Sequence, residues 1–264
     1  MAQEFGPGIW YEDGPKIEGF AGFHYPTRMA VIRLDNGGLF IWSPISLTDP
    51  VRQWIDTLGP VRHIVAPNAL HHVFLPSWQV AYPKAVVHGA PGVAQKRPEV
   101  QFGTELGDGA HDAWAGEIDQ VIVPNSIADE VVFFHRASGT VLVTDLVQNL
   151  PRGWFKGWRK IVARLDSMIG DTPRVPRKFR MALRARDGSR AALAKVLDWP
   201  AEGVLMAHGT PVVMNGQAFL NDAFDWRLGS GQRLVLWLGR VRAKAQQREN
   251  PQEFYPGRKA PNRP

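Results

Sequence analysis

There is no cysteine among the 264 residues. Disulfides, thiolate-bound zinc and iron–sulfur clusters are therefore excluded, and a metal would have to rest on imidazole and carboxylate groups. No stretch approaches the roughly 20 apolar residues of a membrane span, and residues 1–7 lack a basic segment followed by an apolar run. A soluble cytoplasmic protein is the expectation. Also missing are an internal repeat of fixed period, the GxGxxG and GxxxxGK[ST] phosphate-binding patterns, and any specific nucleic-acid motif.

Acidic charge is scarce in two places only. The net charge is +6 overall, yet residues 152–190 hold 12 Lys/Arg against 3 Asp/Glu, and residues 231–264 hold 8 against 2. The remaining body is acidic, so the basic character belongs to one insert and one tail. With 44% hydrophobic residues the chain can fill a sizeable core. One domain is expected over residues 1–230, with a basic helical insert at 150–190. A basic, apolar-striped helix over Leu234 to Val241 and a disordered tail from Arg248 would follow.

Ile9-Trp10-Tyr11 reads as a short strand. Asp35-Asn36-Gly37-Gly38 between two apolar runs signals a hairpin. Thr48 or Asp49 caps a helix that carries Pro50 in its first turn and ends at Gly59. Val61 to Ala66 is a strand that stops at Pro67, turns through Asn68 and leads into His71-His72. Residues 91–116 read as loop with one helical turn. A second hairpin runs through Ala137-Ser138-Gly139 to Val141-Leu142-Val143-Thr144, and ends at Asp145. In the insert, Trp154, Trp158, Ile161, Val162 and Leu165 fit one amphipathic helix, and Phe179, Met181 and Leu183 a second. A last strand, Gly203 to Ala207, ends at His208.

Three strand ends thus carry ligand-capable groups: His71-His72, Asp145 and His208. Such ends are where α/β proteins place their sites. Each group also has a plainer role, because buried histidines at strand ends are satisfied by hydrogen bonds and an aspartate can cap a turn. Asn68 is mainly a turn former. His24, His63, His88, His111 and His135 suit surface or packing roles.

In order and spacing, Val65-Ala66-Pro67-Asn68-Ala69-Leu70-His71-His72, Thr140-Val141-Leu142-Val143-Thr144-Asp145 and Val204-Leu205-Met206-Ala207-His208-Gly209 resemble the metallo-β-lactamase superfamily. Ser43-Pro44-Ile45 and Pro67-Asn68 narrow the likeness to one of its bacterial branches, a domain of unknown function. The resemblance covers roughly residues 9–226 and implies an α/β fold, an αββα sandwich with metal at one edge. The superfamily's signature turn is His-x-His-x-Asp-His. Here Pro67, Ala69, His71 and His72 stand in those places, and the next family histidine falls near Asn125 or Ser126. The ligands of the first metal are thereby lost. Those of the second are retained as His71, His72, Asp145 and His208.

The resemblance implies one divalent metal ion, with zinc as first choice and iron or manganese as alternatives. Asn68, Asn125, Trp154 and Trp158 are candidates to line a pocket for a small-molecule substrate or ligand. No catalytic residue is assigned. Two functions are expected to compete: a metal-dependent hydrolase of an ester, amide or phosphoester, and a catalytically lapsed fold that binds a small molecule or partner. The basic insert is either a solvated face or a surface for an anionic ligand, and no membrane span is expected.

Overall fold

Every residue of Leu39–Trp42 is buried, which marks a strand covered on both faces, at the centre of the fold. In the computed structural model, which describes residues 2–228, this strand is β4 of a six-stranded sheet. Strands β1 (Gln3–Gly6), β2 (Ile9–Glu18), β3 (His24–Arg33), β4, β5 (Val61–Ala66) and β6 (Val86–Gly89) lie side by side in chain order. The first four are antiparallel; β4, β5 and β6 are parallel and need crossovers. Helices α1 (Asp49–Leu58) and α2 (Leu75–Ala81) supply them. The expected hairpin turn forms, with Gly37 at φ 79° and Asn36 Oδ1 accepting from Gly38 N at 2.8 Å. Thr48 is the N-cap of α1, although its side chain makes no capping bond.

A second sheet of four strands runs in the order β10 (Gly203–Met206), β9 (Thr140–Val143), β8 (Glu130–His135), β7 (Ile118–Val123). Its inner face packs on the first sheet. Phe40 and Phe133 meet edge to face at 5.6 Å, and Leu142 and Leu205 join Met29, Trp42 and Ile64 in one buried core. Helix α2 covers β5, while α6 (Ser189–Asp198) covers β7. The result is the αββα sandwich. The 91–116 loop holds a short helix α3 (Val93–Lys96) and a 3-10 turn at Asp112–Trp114, where one helical turn is expected.

The insert departs from expectation in one respect. Trp154 precedes α4 (Gly157–Leu165) rather than belonging to it, and only Ala163 of that helix is buried. Helix α5 (Arg177–Arg184) buries Phe179 and Leu183 but leaves Met181 exposed. The chain up to Phe224 is one compact unit; of the second unit, Asp225–Leu228 are described, as the end of α7 (Gly216–Leu228). The expected helix at 234–241 and the tail at 248–264 lie outside the described residues. Among the described residues no helix is long and apolar enough to cross a membrane.

Candidate metal centre

Three chain segments meet at one edge of the sandwich. The first is the turn after β5, which the Asn68 side chain organises: Oδ1 accepts from Leu70 N at 2.8 Å and His71 N at 3.1 Å. Asn68 Nδ2 then donates to Thr144 Oγ1 and to Asp145 Oδ2, both at 2.8 Å, so one amide ties the turn to the second segment. Asn68 is therefore a turn former, as expected, and also a positioning group for Asp145. Pro67 has no side-chain ligand to offer. Its carbonyl accepts from Val131 N at 2.8 Å and pins the turn to β8.

The second segment, after β9, is held by Glu130. This carboxylate is wholly buried and accepts from Thr144 N at 2.6 Å, Asp145 N at 2.9 Å and Leu146 N at 3.2 Å. Burial, then the nearby Asp145 charge, pushes Glu130 up to about 7 despite those bonds.

The third segment follows β10. Arg28 Nη1 donates to the carbonyls of Met206 at 2.8 Å and Gly209 at 2.5 Å, gripping the backbone on both sides of His208. Arg28 Nε is itself held by Asp13 at 2.7 Å. Gly209 has φ 139°, and a Cβ there would lie 2.6 Å from the Asn149 carbonyl, so only glycine fits beside His208.

These segments bring His71, Asp145 and His208 together. His71 Nε2 lies 3.4 Å from Asp145 Oδ2 and His208 Nε2 lies 3.4 Å from Asp145 Oδ1. The three ligand atoms are all within 4.8 Å of one another. Zinc bonds of about 2.0–2.2 Å at tetrahedral angles set neighbouring donors roughly 3.3–3.6 Å apart, a range that both His–Asp separations meet. Asp145 also accepts from Gln148 Nε2 at 3.2 Å, while Gln148 Oε1 is buried without a hydrogen-bond partner.

Protonation makes the fit sharper. His208 Nδ1 sits 2.8 Å from the Pro26 carbonyl, which only accepts, so Nδ1 carries the proton. Nε2 is the atom left to face Asp145 Oδ1, 3.4 Å away. Burial would raise the Asp145 carboxyl, but hydrogen bonds with His208 and His71, and their charge, hold it well below the usual range. Burial lowers His71, against the hydrogen bond and charge of Asp145. Its Nδ1 is 2.8 Å from Ser43 Oγ. Ser43 has φ 50°, a left-handed conformation that costs a non-glycine residue about 1 kcal/mol or more. A cation bound here would take the carboxylate and the two Nε2 atoms as ligands.

The fourth expected ligand is not brought here. His72 Nδ1 accepts from Arg97 Nε at 2.8 Å, and burial with the charges of Arg97 and Lys96 pushes its imidazole down to about 4. Adjacent side chains diverge, and Arg97 claims the second ring. Asn125 closes its own turn, with Oδ1 accepting from Ile127 N at 3.0 Å and Ala128 N at 2.9 Å. Trp154 Nε1 donates to the His24 carbonyl at 2.9 Å and its ring lines a basic cleft with Lys16, Arg152 and Lys156. Trp158 is 53% exposed and packs on Phe23. Sequence reasoning missed Glu130 and Arg28; a carboxylate opening an otherwise apolar strand was the signal for the first.

Comparison with known proteins agrees with this architecture. The chain resembles the mono-zinc form of the metallo-β-lactamase FIM-1 from Pseudomonas aeruginosa at TM-score 0.54 and 12% identity, over 84% of this chain and 91% of that one. It resembles DIM-1 metallo-β-lactamase exposed to ceftazidime at 0.58 and 12%, over 86% and 96%. A metallo-β-lactamase from Pontibacter korlensis gives 0.51 and 14%, over 85% and 97%. At these identities the likeness is one of fold. No curated protein matches the sequence. The model described as Domain of unknown function (DUF4336) matches residues 9–159, more than half of the sequence. The chain has the metallo-β-lactamase fold and belongs to the DUF4336 family.

Proposed function

We propose that the protein is a mononuclear metal-dependent hydrolase in which His71, Asp145 and His208 hold one divalent ion, zinc in the first instance. The observation that carries this reading is the pairing of an ionised, buried Asp145 with a His208 ring whose proton is committed to Pro26. Three protein ligands leave a position open, the arrangement of catalytic rather than structural zinc. An ion there would polarise a carbonyl or phosphoryl group and lower the pKa of water toward about 7.

The surrounding residues have separate parts. Pro26 and Ser43 orient the two rings through Nδ1, as outer partners of ligating histidines commonly do. Asn68 and Gln148 steady the Asp145 carboxylate.

A second reading, a lapsed site in a binding protein, draws support from the closeness of the centre. The side chains of His71, Asp145 and His208 are only 7%, 8% and 4% exposed. Elemental analysis of protein purified without added metal, followed by assays with ester, amide and phosphoester substrates, separates the two. The hydrolase reading expects near one equivalent of zinc, iron or manganese and turnover lost in His208→Ala. Metal without turnover across all three classes favours the lapsed site. Absence of metal, with no thermal stabilisation by any of the three ions, rejects both the ion and the mechanism.

A further inference from the structure

Helix α4 wears its apolar stripe on the outside. Trp158, Ile161, Val162 and Leu165 follow the i, i+3, i+4, i+7 spacing of a single face, yet they are 53%, 63%, 42% and 60% exposed. At about 100° per residue, Ala163, the helix's buried residue, points nearly the opposite way. Beside the stripe stands Phe20, 94% exposed. Its loop is not loose: Arg159 Nε donates to the Ala21 carbonyl at 2.8 Å, and Ala21 has φ 55°. The chain spends backbone strain and an arginine to hold a phenyl ring out in water.

Basic charge dominates around this stripe, and the acidic residue that follows the helix, Asp166, is paired with Lys178 at 3.7 Å. Helix α4 contains no acidic residue, and Lys156, Lys160 and Arg164 form an exposed row along its flank. The body of the protein is acidic, so this concentration is local. Between α4 and the Phe20 loop runs a groove of about 540 Å³ walled by Phe20, Phe23, Tyr25, Val162, Leu165 and Met168. Its inner wall reaches the candidate centre, because the Tyr25 ring lies 5.6 Å from that of His208.

We infer that α4 and Phe20 dock the protein on a membrane surface carrying anionic lipid. An apolar stripe with cationic flanks is what a helix lying in the headgroup layer presents: the stripe enters the acyl boundary and the row of Lys and Arg meets lipid phosphates. Charge complementarity selects this occupant over a second copy, whose own +9 insert would be repelled at a self-complementary contact. Docking sets the mouth of the groove at the headgroups and Tyr25 at its inner end. The inference stands apart from catalysis, since the surface exists whether or not the trio turns over a substrate.

Co-sedimentation of the full-length protein tests it, with vesicles of phosphatidylcholine alone and of phosphatidylcholine mixed two to one with phosphatidylserine. Wild type is expected to sediment with the mixed vesicles and weakly with the neutral ones. The triple variant Ile161→Ser, Val162→Ser, Leu165→Ser keeps every basic residue, including those of 231–264, and should partition at least about tenfold less. Its thermal midpoint should fall by no more than about 5 °C, because the three side chains are largely exposed. Wild type that stays in solution with both vesicle types overturns the inference, and so does a triple variant that binds as well as wild type. Dimers in light scattering that the variant dissolves, without vesicle binding, would assign the stripe to a second copy instead.

Discussion

Two histidine clusters share strand β5, and they have different chemistry. At the start of the strand, His63 Nδ1 lies 3.1 Å from His88 Nε2, and the rings of His88 and His111 pack on Trp114 at 5.0 and 4.6 Å. Past its end, His71 faces Asp145 and His208. The first cluster has aromatic neighbours and no carboxylate, and burial, then the charges of neighbouring groups, pushes His63 to about 4 and His88 to about 3. The second has a carboxylate at its centre and an outer partner on each Nδ1. Among the described residues only the second forms a group able to hold a metal ion. The number of imidazoles does not make a cation site; an ionised oxygen and a committed tautomer do.

The sharpest way to break that contrast is Asp145→Asn, which keeps the shape and removes the charge. Zinc affinity by calorimetry should fall at least about 100-fold, while His88→Gln should leave it unchanged. Equal losses would mean the two clusters are not distinct. Next in size is Arg28→Met. It strips two backbone carbonyls around His208 of a buried charged donor and leaves Asp13 unpaired, so urea unfolding should show a loss of about 2–3 kcal/mol.

The first cluster should report itself through pH. In the unfolded chain His63 and His88 take up protons as pH falls through about 6.5, whereas the folded rings stay neutral down to about 4 and about 3. The unfolded state binds more protons between those limits, so this stability is complete above about pH 6.5 and drains away below it. His72 and His135, both lowered to about 4, act in the same direction, while Glu130, raised to about 7, gains stability over the same window and offsets part of the loss. The thermal midpoint should drop on the order of 5 °C from pH 7 to pH 5, and His63→Gln should flatten part of that slope. A midpoint independent of pH would contradict the burial assigned to these rings.

Smaller still is Glu130→Gln, which leaves one side-chain oxygen where three backbone N–H groups converge. A loss of about 1–2 kcal/mol is expected, with weaker metal binding because the Asp145 loop loosens. His72→Ala should have the least effect, within about threefold in metal affinity, since its ring is engaged by Arg97. A loss as large as that of Asp145→Asn would restore His72 to the ligand set.

Much of this could be read from the residues. Alternation and turn chemistry located β3 and β4 around Asn36-Gly37, and the strand-then-histidine pattern located His71, Asp145 and His208. What stayed hidden depends on direction and on distant partners. Nothing local distinguishes His71 from His72, because the choice is made by Arg97, 25 residues away. Arg28 lies 178 residues from the Met206 carbonyl it holds, and its place in an exposed-looking hairpin concealed that. The α4 stripe was visible as a period but not as a face: a 3.6-residue repeat says that one side is apolar, not whether that side turns inward.

The account rests most directly on His208. Titration of wild type and His208→Ala with zinc, read by calorimetry and by the imidazole nitrogen shifts of His208, tests it in one experiment. One equivalent bound by wild type, abolished in His208→Ala, with Nε2 shifting on zinc addition and Nδ1 still protonated, is the result expected. A doubly protonated His208 ring at neutral pH that ignores zinc would show an ion pair with Asp145 in place of a metal centre.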